Sequence, residues 1–270
     1  FHKLSGPLAG CSAAHTARAS KSKFSDLVTF GKALPLVRKR IFDALKNPAA
    51  SREPTIDIAI ALALRIVLLC HFRLGNQKYK ELYKSYGVST LEVRHLKFIE
   101  PTSTSRIKVP AAKFSFIGKK GVLNSCTIIE PDIVHHLMNM SAGKAQKAPI
   151  FSTKEGAPIR AADINNWLKG FGIDLSSKQF RTFAGSTLVI HLLVLHARRG
   201  KKVELPESLS MTERKRNVNA ALDKTSETIH NTRAVAKKSY VHPAIIDLYL
   251  NHPRKFAASF IATELDAERA

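Results

Sequence analysis

Acidic residues are scarce in this chain. Asp and Glu total 21 against 43 Lys and Arg, so the 270 residues carry a formal net charge of +22. A folded chain this basic repels itself unless a polyanion is its normal partner. Nucleic acid is the default partner and an anionic membrane the competitor. Cysteine is scarcer still. Cys11, Cys70 and Cys126 form no CxxC pair and no even framework, which predicts reduced thiols and no zinc site. The eleven histidines are scattered, and His135–His136 and His191/His196 lack the i,i+4 spacing of a helical metal pair. No metal and no cofactor are expected. No block of 18 apolar residues exists, so the sequence offers no bilayer-spanning helix. The longest apolar run, 58–70, is interrupted by Arg65 and reads as a buried helix. No internal repeat is present.

What is present is a foldable core. The hydrophobic fraction is 44%, enough for one large domain or two small ones at this length. Residues 1–24 are rich in Ala, Ser, Gly and Lys without apolar period, and read as a flexible basic arm or linker remnant ahead of a domain over 25–270. The chain begins with Phe1 rather than Met, and a fragment or processed product is expected. From Phe24 the apolar residues recur at helical spacing, with Pro35 expected to kink or divide the helix. Residues 55–73 form the most apolar helix, with Gly75 as its natural stop. A short helix follows over about 77–85. Between 106 and 129 the pattern changes. Phe114 and Phe116 alternate with Lys113 and Ser115, and Gly118-Lys-Lys-Gly121 joins them to a second run, which predicts a β-hairpin with a lysine-bearing turn. Further helices are expected over about 131–140, 161–170, 178–197 and 211–228, and from Ala234 and Pro243 onward. The fold class is mainly α with a small antiparallel sheet.

Four short segments carry the candidate chemistry: "HFRLGNQKYKEL" with Arg73, "FSFIGKKG" with Lys119, "SKQFRTFAG" with Arg181, and "AVAKKSYVHP" with Tyr240. A phenol titrates near ~10 and is protonated at neutral pH. To attack a phosphodiester it needs an in-line position, cations on the non-bridging oxygens and a proton for the leaving oxygen. Arginine forks suit the second need and a lysine the third. Each residue alone has a plainer reading. Arg73 would complement a helix C-terminus, Lys119 and Lys120 would be solvated turn residues, and Tyr240 would be a packing residue.

The ordered set resembles the type IB DNA topoisomerases of poxviruses and bacteria, from about Lys23 to about Leu250, and so the DNA breaking-rejoining catalytic core. The resemblance implies that Tyr240 is the nucleophile, Arg73 and Arg181 the two active-site arginines, and Lys119 the general acid on the 5′ oxygen, with Lys120 as its alternate. Such enzymes usually carry His or Asn nine residues before the tyrosine. That position is Asn231, with His230 as its rival. Tyr79 and Lys178 also sit where the family contacts DNA. "KQFR" departs from the His-x-x-Arg of integrase-type recombinases.

Arg94, Lys97, Arg106 and Lys108, with the cluster Arg198, Arg199, Lys201 and Lys202, are expected to neutralise phosphates of a duplex. Trp167 is expected in the core. The implied activity is relaxation of supercoiled duplex DNA through a 3′-phosphotyrosyl intermediate, by a monomer, without ATP or metal. The implied location is intracellular and DNA-associated: nucleoid, nucleus or virion. Two rivals stand beside it, a site-specific tyrosine recombinase and a catalytically inactive DNA-binding module of the same fold. The family's usual separate N-terminal clamp domain is not recognisable in residues 1–24.

Overall fold

The computed structural model describes residues 24–102, 107–171, 176–197 and 205–261. The basic arm, Arg106, Arg198, Arg199, Lys201 and Lys202 all lie outside them, apart from Phe24 at the arm's end. Among the described residues the chain is mostly helical with one three-stranded antiparallel sheet, and no helix is long and apolar enough to cross a membrane.

Helix α1, Leu27–Ala44, buries Phe30, Ala33, Leu34, Val37 and Ile41, a three-four spacing that lines one face. Pro35 lies inside it and does not divide it. Proline crowds the carbonyl four residues earlier, and here that residue is Gly31, while the buried face holds the turns on either side. Helix α2, Ile56–Cys70, is capped by Thr55, whose side chain accepts from the Ile58 N–H, and carries Asp57 in its first turn. Nine of its side chains are buried. Arg65 leaves that core sideways and pairs with Glu130 at 2.5 Å.

The stop of α2 differs from the expectation. The chain turns at His71, in the left-handed region at φ 54°, not at Gly75. Gly75 has another task. Its backbone passes so close to Gly87 that a Cβ on Gly87 would stand 2.4 Å from the Gly75 nitrogen and 2.6 Å from the Arg73 carbonyl oxygen. Helix α3, Gln77–Tyr83, follows.

The sheet comprises β1 (Leu96–Ile99), β2 (Ala111–Ile117) and β3 (Leu123–Ile128), in the order β1-β2-β3. The hairpin stands where the alternation placed it. Phe114 and Phe116 are buried while Lys113 and Ser115 are exposed. Strand β1, only four residues long, was not legible.

Register explains a second departure. Cys126 pairs with Phe114, and cross-strand partners share a face, so Cys126 points at the same core as Phe114. There it meets Cys70, and the two are joined in a disulfide with Cα atoms 5.7 Å apart. The expectation of reduced thiols is corrected for this pair. The bond closes a segment that carries both Arg73 and Lys119. Restricting such a loop in the unfolded chain contributes about 2–4 kcal/mol. Reduction by a dithiol, or Cys126→Ser, should therefore lower Tm by roughly 5–15 °C in a thermal scan, with wild type and Cys126→Ser coinciding under reductant.

The chain continues through α4 (Pro131–Ser141), α5 (Ala161–Lys169), α6 (Ser177–Ala197), α7 (Met211–Thr228), α8 (Arg233–Ser239), α9 (Pro243–Asn251) and α10 (Pro253–Phe256). Trp167 is half-buried at the core's edge, edge-on to Phe171, with its Nε1 donating to Asp57 at 2.5 Å. Among the described residues there are two apolar cores. One gathers α1, α2, the sheet, α4, α5 and Phe180. The other gathers Val189, Leu193, Val194, Val218, Leu222, Val241, Ile246, Tyr249 and Phe256. Helix α6 contributes to both, and Arg181 lies at the seam between them.

Candidate active site

Arg73 is placed by its neighbours. Phe72, fully buried, packs edge-on against Phe116 with centroids 4.8 Å apart. The Arg73 carbonyl accepts from the Val88 N–H at 2.9 Å, and the Leu74 carbonyl accepts from both the N–H and the hydroxyl of Ser89. These bonds hold the segment after α2 extended, with the Arg73 side chain half-buried.

Arg181 sits one turn into α6 and is only 3% exposed. Its guanidinium donates to the carbonyls of His71 and Ile229, the latter at 2.6 Å. Its Nε is buried with no partner. Its Cζ stands 4.8 Å from the centre of the Tyr240 ring. Burial pulls the Arg181 pKa down to about 10, with repulsion from Arg73 acting the same way and Tyr240 opposing it. The group remains charged at neutral pH. His71 is driven to about 4 by burial, then by Arg181 and His230, and is neutral.

Tyr240 caps the C-terminus of α8. Its backbone is seated on α6. Its carbonyl accepts from the Ser186 hydroxyl at 3.2 Å, and the same hydroxyl oxygen accepts from the His242 N–H at 3.0 Å. Gly185 makes the seat possible, since a Cβ there would lie 2.9 Å from the Tyr240 Cβ and 2.8 Å from its carbonyl oxygen. The phenol points back to the seam, where Arg73 donates to its oxygen at 3.4 Å. Burial alone would raise the phenol's pKa. The charges of Arg181 and Arg73 and their hydrogen bonds outweigh it and hold the phenol below its ordinary value.

Asn231 completes the cluster. Its Oδ1 accepts from Arg73 at 2.8 Å and its Nδ2 donates to the Ile229 carbonyl at 2.8 Å. His230 turns elsewhere, its Nε2 3.0 Å from the Cys70 carbonyl oxygen. Lys119 is exposed on the hairpin turn and lines a cleft of about 190 Å³ together with Arg73, Asn76, Tyr79 and Tyr86. Lys120, at φ 64° on the same turn, does not line it. The structure thus brings Arg73, Arg181, Asn231 and Tyr240 together, and Lys119 shares a cleft with Arg73 alone of these four.

Against this geometry, the family described as eukaryotic DNA topoisomerase I, catalytic core, matches residues 12–260. The chain belongs to the type IB DNA topoisomerase family. It is 27% identical over 251 residues to DNA topoisomerase 1B of Acanthamoeba polyphaga mimivirus, covering 90% of this chain and 68% of that protein. It is 26% identical over 151 residues to DNA topoisomerase 1 beta of Arabidopsis thaliana, covering 56% of this chain and 15% of that protein.

The remaining expected DNA contacts divide. Tyr79 is 48% exposed beside the Lys119 cleft and stacks on Tyr83 with centroids 5.7 Å apart. Lys178 is exposed at the start of α6, and Lys97 is exposed on β1. Arg94 is exposed and paired, donating to Glu92 at 2.6 Å and to the Tyr86 hydroxyl at 2.8 Å. Gly87, Gly185 and Ser186 escaped sequence reasoning. The one signal for them was their nearness to Arg73 and Arg181 along the chain. Gly185→Val should force the Tyr240 backbone off α6. A displacement of about 1 Å corresponds to roughly 100-fold in the covalent step, read as the rate of DNA–protein adduct formation.

Proposed function

We propose that this type IB topoisomerase core relaxes torsionally strained duplex DNA by cutting and resealing one strand. The Tyr240 phenol gives up its proton to solvent as its oxygen attacks a backbone phosphorus and displaces the 5′ oxygen. A 3′-phosphotyrosyl bond forms as the P–O5′ bond breaks. Lys119 delivers a proton to the departing oxygen, and the 5′-hydroxyl end swivels about the intact strand. That hydroxyl then attacks the phosphotyrosyl phosphorus, the bond to Tyr240 breaks, and the strand is sealed. The broken bond's energy is held in the ester, so no nucleotide hydrolysis is required.

The observation that carries the reading is a phenol held between two guanidiniums with its pKa drawn down. Half-buried Arg73 is the donor offered to the non-bridging oxygens as charge builds in the transition state, and buried Arg181 adds its positive charge from the other side of the phenol. Asn231 has one Nδ2 hydrogen beyond its bond to Ile229 for the same phosphate. With these cations supplying the charge, divalent ions are not essential to the step.

Incubation of the chain with supercoiled plasmid in excess chelator, without nucleotide, tests the proposal. The expected result is a ladder of relaxed topoisomers in the absence of any defined target sequence. Relaxation confined to a particular site or to a tetramer supports a recombinase instead, and no strand breakage at all supports an inactive binding module.

A further inference from the structure

The Asn231 turn is built around an unusual residue. Helix α7 ends in a Schellman arrangement, in which the His230 N–H donates to the Glu227 carbonyl at 3.1 Å and the Asn231 N–H to the Ser226 carbonyl at 2.8 Å. This places His230 at the left-handed position, φ 53°, which glycine adopts without steric conflict and histidine does not. Something must compensate for a β-carbon there, and the side chain supplies it. The imidazole Nε2 lies 3.0 Å from the Cys70 carbonyl, and the ring packs on Phe72 with centroids 5.0 Å apart. Cys70 ends α2, and Arg73 is three residues on. The imidazole therefore ties the turn that aims Asn231 to the segment that aims Arg73.

We propose that His230 is a positioning residue for the Arg73–Asn231 pair. It does not touch the phosphate. As the neutral tautomer it donates from Nε2–H to the Cys70 carbonyl and fixes the distance between two elements 160 residues apart in the chain. The Arg73–Asn231 bond at 2.8 Å is the consequence. This inference rests on the strand-cleavage reading of the site.

The test uses the intact chain and four variants, His230→Gly, His230→Gln, Asn231→Ala and His230→Gly combined with Asn231→Ala. Glycine suits the left-handed turn, so folding is retained and Tm serves as the control. Glutamine keeps a donor able to reach the Cys70 carbonyl. With His230→Gly the rate of covalent adduct formation on plasmid should fall between about 10- and 100-fold, while the apparent Kd for DNA stays within about twofold. His230→Gln should recover a measurable part of the rate. Because His230 acts through Arg73 and Asn231, the double variant should lose less than the product of the single losses. An unchanged rate in His230→Gly overturns the inference. So does a loss that appears in Kd instead of rate, which would mark a DNA contact, and so does strict additivity with Asn231→Ala. Failure of the wild-type chain to form any adduct would instead remove the strand-cleavage reading beneath it.

Discussion

Tyr240→Phe should abolish adduct formation and plasmid relaxation while DNA binding persists. The substitution removes one oxygen atom. The ring remains beneath the Arg181 guanidinium, 4.8 Å from its centre in the wild type, and the backbone seat on Gly185 and Ser186 is untouched. The +22 charge of the chain is expected to carry binding through phosphate contacts that do not need the hydroxyl. The expected loss in adduct formation exceeds roughly 10⁴-fold, the scale on which a covalent nucleophile's removal is measured. Filter binding of the same variant should give a Kd within about threefold of wild type, or roughly 0.6 kcal/mol. Relaxation by Tyr240→Phe at a comparable rate would transfer the nucleophile's role to another residue.

The second large effect separates the two arginines. Arg181 is buried and bonded to the carbonyls of His71 and Ile229. Arg73 is half-buried, and its guanidinium bonds are to Asn231 and Tyr240. Arg181→Met therefore leaves the His71 carbonyl without its side-chain donor, while the Ile229 carbonyl keeps only its bond from Asn231, and it removes the cation proposed to act in the transition state. Stability should fall by about 1–3 kcal/mol, and the adduct rate by about 10³-fold or more. Arg73→Ala should show a rate loss of the same order with a stability change under about 1 kcal/mol. Urea unfolding and adduct kinetics on the two variants check both halves. Equal destabilisation by both would mean that Arg181 is not the clamp between the two cores.

The parts of this arrangement legible in sequence are those governed by local pattern. Phe114 and Phe116 announced β2 because one buried face imposes a period of two. The segments bearing Arg73, Lys119, Arg181 and Tyr240 stood out because their order resembles a known family, and the structure brings Arg73, Arg181 and Tyr240 together. What was hidden depends on contacts between segments distant in the chain. The Cys70–Cys126 bond follows from hairpin register, which places Cys126 opposite Phe114 and toward the core; spacing alone is silent on it. The end of α2 at His71 was masked by Gly75, a better cap on propensity, which is instead consumed by the close passage against Gly87. Pro35 stays within α1 because the buried face outweighs one missing N–H. Arg94 is the surface cation the sequence suggested, but its ion pair with buried Glu92 depends on tertiary contacts that local pattern does not show. His230 was a rival to Asn231 for the same task, and the left-handed turn sends their side chains to different targets.

The most direct measurement of the central claim is the chemical identity of the trapped linkage. The chain is incubated with duplex DNA, quenched with denaturant and digested, and the DNA-bearing peptide is sequenced by mass spectrometry. The account predicts a phosphodiester on the Tyr240 oxygen, joined to the 3′ end of the cut strand, with a free hydroxyl on the 5′ side. A linkage on any other residue, or a tyrosyl bond to the 5′ end, contradicts it.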